Sequence, residues 1–586
     1  MIYMRNICLS FVFLCLMQPT CLFAQKDKSL IAISEDYNWT SWGNNRLPKE
    51  CRLPLSKTFG GISFTGRYAS YTKADTWYLV SASDGTMYSC YTDGSVNGEG
   101  AFSPRPRSGK VVGTDPLRLQ VSAIGKLIDH NGNDKIAGKY GRYPCAQLMY
   151  NDIWYYGTYL LEQDDRTMYV PNFDWAILQP FVGFRVSGDF GETWCDKTTP
   201  EDPLLENCHD KWVRAHGVDF NPYEVMIGAP HFVDFGENLK YAPVDEATGR
   251  KWAYMVAHGA DARCKLAHNS WVSGDNIYLL RILMPEGRDV EENFRYFNDS
   301  SNWQYLSRDG SYRTWNRDNL EEVYANIRPI VDATGFMGNV GLTYNAPLRR
   351  FIMTLSRVAD GDRNNFNTMI LESDAIDGKY SVVQYMKGFA SQSYFMNIPS
   401  PFISADGRRM WLCYSSNYAY KSSPTPTIGG SCYALCLSEI TLDGRTEAKA
   451  RKYEAESMHR LGHAGLRVDS VLSNGAGVAE VTMLGDGVEF YSKNSGNAIT
   501  VSAYNKVPGQ KKISVYVNDR YVAKLLLSYT AEEGTTAIQQ AKVKIKRGDK
   551  IALRVDADDI DFNRRAPEQP GGAQHFVGVI DYVTVD

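Results

Sequence analysis

Two aspartates flank a predicted β-hairpin, and their spacing could support hydrolytic chemistry. Asp75 opens an apolar strand, the turn falls at Asp84 and Gly85, and Asp93 follows in the partner strand. The two carboxylates would then lie at one end of the hairpin, with their Cβ atoms roughly 5–8 Å apart. At that separation one carboxyl can act as an acid and the other as a base or nucleophile, the pairing that glycoside hydrolysis needs. The alternatives are a strand cap at Asp75 and a turn residue at Asp93.

Two histidines take similar positions in a later hairpin. His231 opens one strand, His258 lies near the end of the paired strand, and Asp261 follows shortly after. Together His and Asp can act as acid and base, position a substrate carboxylate or bind a metal. We predict that His231 is catalytic and that His258 and Asp261 bind substrate. The alternative is that each histidine is structural.

Further polar residues stand at the starts of other predicted strands. Arg142 and Tyr143 precede the second hairpin and could supply a cation and a phenol. Asn339 and Asn397 precede the fourth and fifth hairpins and offer neutral hydrogen-bonding groups. We predict substrate-binding roles for all four residues.

The hairpin pattern that would position these side chains occurs five times. Alternating apolar residues bounded by Gly, Asn and Asp turns predict hairpins in the stretches 75–91, 146–159, 230–258, 340–355 and 401–414. Five such copies indicate five four-stranded blades, so residues 55–450 are predicted to form a five-bladed β-propeller and catalytic domain. Strand ends would then converge on one axis.

A turn motif supports this interpretation. Residues 187–194 (SGDFGETW) fit the Ser-x-Asp-x-Gly-x-Thr-Trp pattern of the sialidase Asp-box. In such a turn the Asp189 carboxylate accepts backbone N–H groups and Gly191 takes the strained dihedral. Looser versions begin at Ser307 and Ser404. These turns mark a fold and not a catalytic centre.

The sequence pattern changes in the C-terminal part of the chain. Short strands recur regularly over residues 452–586, which predicts a β-sandwich of jelly-roll type. The whole chain is therefore expected to be all-β.

The residue pattern at the N-terminus is typical of an export signal. Residues 1–24 combine one early positive charge, a short apolar run and a small residue at a plausible cleavage point, which predicts a signal peptide. The run is too short to span a bilayer, and no later segment would do so. Residues 25–54 are predicted to be an N-terminal extension. We expect a secreted or periplasmic protein, with lipid anchoring through Cys21 as the alternative.

Charge excludes one class of partner. The chain has 63 basic and 67 acidic side chains, so it lacks the excess of basic residues that is typical of nucleic-acid binding. Its oligomeric state stays open at this level.

The tail resembles carbohydrate-binding modules of families 6 and 35. The resemblance rests on residues 453–456 (YEAE), 513–522 (ISVYVNDRYV) and 580–585 (IDYVTV). In those modules two acidic residues of the opening strand and one of the closing strand often hold a structural calcium ion. The resemblance assigns these roles to Glu454, Glu456 and Asp581, and oxygen ligands suit Ca²⁺. The alternative is that these carboxylates only flank strands.

The first 450 residues resemble secreted five-bladed propeller enzymes of bacterial glycan degradation. The resemblance rests on residues 75–77 (DTW), 83–88 (SDGTMY) and 91–94 (YTDG). They look most like the domain-of-unknown-function 4185 group of endo-D-arabinanases, and more distantly like glycoside hydrolase family 43. In family 43 an inner-strand Asp of the first blade is the base and a Glu of a later blade is the acid. Here the third blade reads GAPH over residues 228–231, without the Glu-Gly-Pro of that family.

Residues and resemblance together predict a secreted glycoside hydrolase that cleaves a polysaccharide, with arabinofuranose-containing glycans among its candidate substrates. Catalysis would need no cofactor. Two alternatives stay open. A polysaccharide lyase would use Tyr143 and His231 as acid and base and Arg142 to neutralise a uronate. A glycan-binding protein without catalysis would use the same surfaces only for binding.

Overall fold

The computed structural model describes residues 29–101, 105–128, 142–160, 179–195, 203–206, 227–260, 270–359, 362–417, 430–469, 472–475, 478–481, 483–505, 511–527, 536–556 and 578–586. Within these ranges the chain consists of β-strands, two short α-helices and a few 3-10 turns, which confirms the predicted all-β class. No helix of the described ranges is long and apolar enough to cross a membrane. The predicted signal peptide, with Cys21, and Asp261 lie outside them.

The elements up to residue 442 belong to five antiparallel sheets and the segments between them. They are β1 (Leu30–Ser34), β2 (Ile62–Tyr71), β3 (Lys73–Asp75), β4 (Val80–Ser81), β5 (Met87–Val96), β6 (Glu99–Ala101), β7 (Arg107–Val112), β8 (Gln120–Ile124), β9 (Arg142–Tyr150), β10 (Ile153–Leu160), β11 (Gln179–Ser187), β12 (His231–Phe232), β13 (Trp252–Gly259), β14 (Gly274–Leu283), α1 (Val290–Phe297), β15 (Trp303–Leu306), β16 (Tyr312–Thr314), α2 (Leu320–Asn326), β17 (Pro329–Met337), β18 (Asn339–Asn345), β19 (Arg350–Ala359), β20 (Asp362–Ser373), β21 (Ser381–Lys387), β22 (Tyr394–Asn397), β23 (Arg409–Ser415) and β24 (Leu435–Leu442). Short 3-10 turns occur at Glu237–Leu239, Ser300–Asn302, Arg317–Asn319 and Ser400–Phe402.

Four of the five sheets use strands that are close in sequence. Sheet 1 has the order β3-β5-β7-β8, with β4 and β6 also paired to β5. Sheet 2 is β9-β10-β11, and sheet 3 is β12-β13-β14-β15-β16, with β17 also paired to β14. Sheet 4 is β18-β19-β20-β21. Each of the first four predicted hairpins falls in one of these sheets.

Sheet 5 joins the two ends of this region. Its order is β22-β23-β24-β2-β1, so that the early strand β2 pairs with the late strand β24. The pairing holds together strands that lie more than 360 residues apart in sequence. Strand β1 pairs with β2, and the described part of the segment 25–54 therefore contributes the edge strand of this sheet.

Neighbouring sheets also contact one another, mostly through their first strands. Strand β9 packs against β4 and β12, β18 packs against β12 and β22, and β24 contacts β3. Ring stacking reinforces these contacts, since the Tyr78 ring lies 4.0 Å from the ring of His231. The side chains that open each sheet are therefore brought to a common region.

The Asp-box turn forms as its residues predict. The Asp189 carboxylate accepts the Thr193 backbone N–H at 2.9 Å and the Thr193 hydroxyl at 2.6 Å. Gly191 has a φ of +89°, in the region that favours glycine. The Trp194 ring packs edge-on against Trp154 at 5.1 Å. The motif thus closes the edge of sheet 2 and takes no part in the region where the first strands meet.

The C-terminal part forms two antiparallel sheets around a hydrophobic core of its own. Its strands are β25 (Lys452–Glu454), β26 (His459–Leu461), β27 (Gly465–Arg467), β28 (Val478–Val481), β29 (Gly487–Tyr491), β30 (Gly496–Asn505), β31 (Lys511–Val517), β32 (Arg520–Leu527), β33 (Ala537–Ile545), β34 (Lys550–Arg554) and β35 (Gly578–Val585), with 3-10 turns at Ala455–Ser457 and Ser473–Gly475. One sheet is β27-β28-β35-β30-β33 with β25 on β35, and the other is β26-β29-β34-β31-β32. Strand β33 buries roughly every second residue, whereas β34 and the first half of β35 are buried over consecutive residues.

The N-terminal segment connects the two parts. Thr40 forms bridges with Phe64 of sheet 5 and with Lys452 of the C-terminal unit. A buried ion pair crosses the same junction, because the Lys493 ammonium lies 3.0 Å from the Asp443 carboxylate. The C-terminal unit is therefore fixed to the sheets and is more than a tethered module.

Candidate functional site

One cavity is lined by residues at or beside the first strands of all five sheets. Tyr78 represents sheet 1, Gln147 sheet 2, His231 sheet 3, Gly341 sheet 4 and Asn397 sheet 5. We call it the axial cavity. Because a pocket with few convergent polar groups is the usual form of a small-molecule site, it is the first candidate for function.

Asp75, at the end of β3, is held by hydroxyl groups from distant parts of the chain. The hydroxyls of Tyr394 and Tyr433 each donate to its Oδ2 at 2.9 Å, and the Thr76 hydroxyl donates to Oδ1 at 3.0 Å. Burial raises the pKa of Asp75 to about 7, with a further increase from the charge of Asp93, while the three hydroxyl donors act in the opposite direction. This carboxyl can therefore exchange a proton near neutral pH.

Asp93 lies beside a bulge in the partner strand. The register pairs Lys73 with Ser95 and Asp75 with Thr92, so β5 carries one extra residue between these pairs. Asp93 itself has a φ of +50°. The residue directly opposite Asp75 is therefore Thr92, and Asp93 is the next one along. Its charge nevertheless acts on Asp75, so the structure brings the two predicted carboxylates together.

Three of the residues with a strained backbone lie in or beside the first strands of sheets 1, 2 and 5. Thr76, Ala146 and Phe395 all have positive φ values, of +68°, +26° and +53°. Each lies in or beside the first strand of a sheet, and a β-branched residue such as Thr76 is a true outlier there. Strain of about 1–3 kcal/mol per residue persists only where the surrounding structure imposes it, and it is common at functional sites.

His231 contributes an uncharged imidazole to the axial cavity. It is 3% exposed, and neither ring nitrogen has a hydrogen-bond partner among the described residues. Burial, together with the nearby His258, lowers the pKa of His231 to about 3. His258 Nε2 lies 2.7 Å from the carbonyl oxygen of Ser270, to which it donates. The predicted proximity of the two histidines is present, and His231 offers ring nitrogens to a ligand.

The two predicted asparagines tie sheets together. The Tyr78 hydroxyl donates to Asn339 Oδ1 at 3.3 Å, and Asn397 Nδ2 donates to the carbonyl oxygen of Trp77 at 2.9 Å. Asn397 also lines the axial cavity, whereas Asn339 is fully buried beneath Tyr78. Their substrate-binding roles stay predictions.

The remaining predicted residues are described only in part. Arg142 begins β9, but its side chain lies outside the described set, as does all of Asp261. The Tyr143 ring lies 5.8 Å from that of Tyr159. Burial is the main cause that raises the pKa of Tyr159, and the charges of Asp75 and Asp93 are among the smaller ones. Tyr143 therefore packs against Tyr159, and Tyr159 in turn lies within the electrostatic range of Asp75 and Asp93.

Sequence reasoning missed the tyrosines of this site. Tyr78, Tyr159, Tyr394 and Tyr433 surround Asp75 and His231, yet the chain has 37 tyrosines and residue type alone does not single these out. The only usable signal was position, since Tyr394 begins the first strand of sheet 5.

The three predicted metal ligands of the C-terminal unit also lie close together. Glu454 Oε1 accepts the Lys452 ammonium and the Ser473 hydroxyl, both at 2.8 Å. The Ser473 backbone N–H donates to Asp581 Oδ1 at 2.9 Å. The Oε2 atoms of Glu454 and Glu456 are buried and have no hydrogen-bond partner within the described ranges.

Electrostatic coupling follows from this crowding. Burial raises the pKa of Glu456 well above its usual value, and the charge of Glu454 raises it further. Burial and the same charge raise the pKa of Asp581 to about 6. Among the described residues, however, no group of three or more His, Cys, Asp or Glu side chains is arranged to hold a metal ion. The two unpartnered carboxylate oxygens fit a cation, whereas a complete three-carboxylate ligand set is not formed.

Comparison with known proteins gives little beyond these observations. No protein-family model matches the chain, and no curated protein matches it. Solved structures do align with it. An exo-β-1,3-galactanase from Phanerochaete chrysosporium aligns with 75% of this chain and 95% of its own, at 11% identity and a TM-score of 0.20.

Two other solved structures match shorter stretches. A family 36 carbohydrate-binding module in complex with calcium and xylotriose covers 23% of this chain and 98% of its own, at 19% identity and a TM-score of 0.18. A Paenibacillus cycloisomaltooligosaccharide glucanotransferase also covers 23% of this chain, at 17% identity and a TM-score of 0.19, and the match spans only 18% of that enzyme. At such scores these likenesses carry no argument for fold or activity.

Proposed function

We propose that this chain is a glycoside hydrolase that acts on a polysaccharide at Asp75 and Asp93, which lie close to the first strands of the sheets but are not among the residues that line the axial cavity. The observation that carries the proposal is the buried Asp75 carboxyl, which is held by two tyrosine hydroxyls, lies within the field of Asp93 and titrates near neutral pH. A carboxylic acid that retains its proton near neutral pH, next to a second carboxylate, is the arrangement that glycosidic bond cleavage uses.

The proposal includes a five-bladed β-propeller for residues 55–450. Its support is the circle of contacts from sheet 1 through sheets 2, 3 and 4 to sheet 5, with β24 returning to β3. The pairing of β2 with β24 inside sheet 5 would close such a ring, because it joins the first and last strands of the region. The axial cavity would then be the propeller axis.

The two aspartates receive different roles. Asp75, whose pKa lies near 7, would protonate the leaving glycosidic oxygen as the general acid. Asp93 would act as the base or nucleophile on the opposite side of the sugar. His231, which is uncharged because its pKa is lowered, would hydrogen-bond a sugar hydroxyl through its ring nitrogens.

Product analysis tests this function. The full chain is incubated with arabinan, arabinogalactan and a uronate-bearing glycan, and the products are separated and identified. We expect new reducing ends from at least one glycan. The Asp75→Asn variant should lose about 10²–10⁴-fold in turnover, as general acids do. Asp84→Asn, an exposed change in the same hairpin, should retain full turnover.

Other results would replace the proposal. An unsaturated product that absorbs in the ultraviolet would indicate a lyase, with Tyr143 and His231 as the acid and base. Binding without any product across the panel would indicate a glycan-binding protein. A loss of less than tenfold in Asp75→Asn would make Asp75 a structural residue.

We also propose that the C-terminal unit is a carbohydrate-binding module stabilised by Ca²⁺. The buried Oε2 atoms of Glu454 and Glu456 would be ligands, with Asp581 close by. A bound cation would offset the mutual repulsion of these carboxylates, and Ca²⁺ accepts six to eight oxygen ligands, so backbone carbonyls and water would complete the shell.

A chelator tests the calcium proposal. Added EDTA should lower the melting temperature of the full chain, and added Ca²⁺ should restore it. The Glu456→Gln variant should melt at the same temperature with and without Ca²⁺, because it lacks one ligand charge. A wild-type melting curve that is unchanged by EDTA would remove the metal from the proposal.

A further inference from the structure

Two adjoining cavities form a groove where the C-terminal unit meets sheet 4. Both are lined by Arg46, Leu47, Tyr385 and Tyr491, so they adjoin at these residues. The N-terminal segment 43–50 forms one wall, strands β20 and β21 form another, and turns of the C-terminal unit near residues 518 and 548 form the third. We call it the junction groove. It is separate from the axial cavity, with which it shares no lining residue.

Hydrogen bonds across the junction hold these walls in place. The Arg547 guanidinium donates to the carbonyl oxygens of Gly60 at 2.7 Å and Lys493 at 3.0 Å. On the other side, Trp42 Nε1 donates to the Lys387 carbonyl oxygen at 3.2 Å, and the Lys387 N–H donates to Asn44 at 3.0 Å. The groove is therefore preformed, which lowers the entropic cost of ligand binding.

The charge of the groove differs from that of the whole chain. Apart from Lys493, which is buried against Asp443, six basic and three acidic side chains line it. Two of the acidic side chains are near Lys550, whose ammonium lies 2.6 Å from Asp519 and 3.9 Å from Glu489. The basic lining residues are Arg46, Lys49, Arg357, Lys387, Arg547 and Lys550. On a chain of net charge −4, this local excess of positive charge favours an anionic ligand.

An aromatic ring and a guanidinium lie together where the two cavities meet. The Arg46 guanidinium is 5.0 Å from the centre of the Tyr491 ring and donates to its hydroxyl at 2.6 Å. Arg46 is exposed, and the planar fork of a guanidinium can bind a carboxylate through two parallel hydrogen bonds. A tyrosine ring offers an apolar face to a sugar and a hydroxyl to its polar edge.

From these observations we propose that the junction groove binds a carboxylate-bearing oligosaccharide segment, in which Arg46 pairs with a uronate and Tyr491 contacts the sugar ring. The groove joins three parts of the chain, so the site exists only when the C-terminal unit is docked. Ligand binding in the junction groove does not depend on the proposed hydrolysis. The binding proposal would therefore remain valid if the hydrolase proposal were refuted.

Calorimetric titration of the full chain at low salt tests the site. The probes are galacturonate tetrasaccharide and, for comparison, the neutral tetrasaccharide of galactose. We expect the acidic probe to bind at least tenfold more tightly than the neutral one, with an affinity that falls as salt rises, because charge pairs at an exposed groove are screened. The Arg46→Gln and Lys387→Gln variants should each weaken binding of the acidic probe about fivefold to tenfold.

Arg295→Gln is the matched control, since Arg295 is an exposed arginine on α1 that lines neither cavity. It should bind the acidic probe as the wild type does. Melting curves of all three variants check that the fold is retained. The two groove variants replace different lining residues, so each tests the site separately. Equal binding of the two probes, no binding of the acidic probe by the wild type, or unchanged binding in both groove variants would each overturn the proposal. The last result would also be expected if the acidic probe bound only at the axial cavity.

Discussion

Replacing Asp75 with asparagine should make the protein more stable at alkaline pH while it removes activity. Asparagine has the shape of a protonated aspartate but cannot ionise. In the folded chain the Asp75 carboxyl is buried and its pKa is raised from 3.8 to about 7. Its proton is therefore bound more tightly in the folded state than in the unfolded state, and ionisation of this group opposes folding.

The magnitude follows from the two pKa values. The difference is about three units, and each unit corresponds to 1.36 kcal/mol, so complete ionisation of Asp75 costs about 4 kcal/mol of the free energy of unfolding. This stabilisation by the proton is fully present below about pH 4 and is lost as the pH rises through about 7. Asp75→Asn should therefore match the wild type near pH 4 and exceed its stability by up to about 4 kcal/mol near pH 8.

Thermal melting of both proteins across this pH range measures the effect. The asparagine carbonyl can still accept hydrogen bonds from Tyr394 and Tyr433, so the packing is conserved. Asp84→Asn is the matched control, because Asp84 is exposed in the same hairpin and accepts the Thr86 N–H at 2.8 Å. That bond lowers the pKa of Asp84, so its replacement should slightly destabilise the protein at neutral pH.

The shape of the pH dependence decides the outcome. A melting-temperature difference between Asp75→Asn and the wild type that grows from pH 4 to pH 8 supports the raised pKa. A difference that is constant with pH, or an Asp75→Asn protein that melts below the wild type at pH 8, would refute the reasoning. In that case Asp75 would be an ordinary ionised carboxylate, and its role as a general acid near neutral pH would be lost with it.

Two further predictions address the contacts of Asp75, and a third addresses the ion pair at the junction with the C-terminal unit. Tyr433→Phe removes a hydrogen bond to the ionised form of Asp75, and such a bond contributes about 1.5–3 kcal/mol. The pKa of this general acid should therefore rise, and the alkaline limb of the pH–rate profile should move upward by about 1–2 pH units. An unmoved limb would mean that Asp75 does not titrate in catalysis. Asp93→Asn removes a charge that raises the pKa of Asp75, so it should reduce the loss of stability between about pH 4 and pH 8 in thermal melting; an unchanged loss would show that the charge of Asp93 does not act on Asp75. Lys493→Met leaves Asp443 buried without its ammonium and should lower stability by about 3–5 kcal/mol in thermal melting, with Lys493→Arg nearer to the wild type; equal melting curves for all three proteins would show that the pair is not needed at the junction.

Local features of this structure could be predicted from the sequence because they depend on neighbouring residues. The turns at Asp189, Asp309 and Asp406 form as their residues suggest, with each carboxylate accepting backbone N–H groups two to four residues further along. Alternation of apolar residues likewise predicted strands. The proximity of His231 and His258 followed in the same way, since they lie on the paired strands β12 and β13.

Register was less predictable. The bulge in β5 places Thr92, and not Asp93, opposite Asp75. A single extra residue changes which side chains face each other, and its presence depends on how β5 fits between β3 and β7. The hairpin pattern alone therefore gave the right neighbourhood but not the right pair.

The sequence by itself thus determined the all-β class, the turns and the neighbourhood of the two aspartates, because each of these rests on short-range spacing. Only the tertiary structure decided how Asp75 is held. Its two tyrosine partners lie 319 and 358 residues away in sequence, and they reach it because β2 pairs with β24 and brings sheet 5 beside sheet 1. The raised pKa of Asp75 depends on that burial, and burial is a property of the assembled sheets rather than of any segment of the chain.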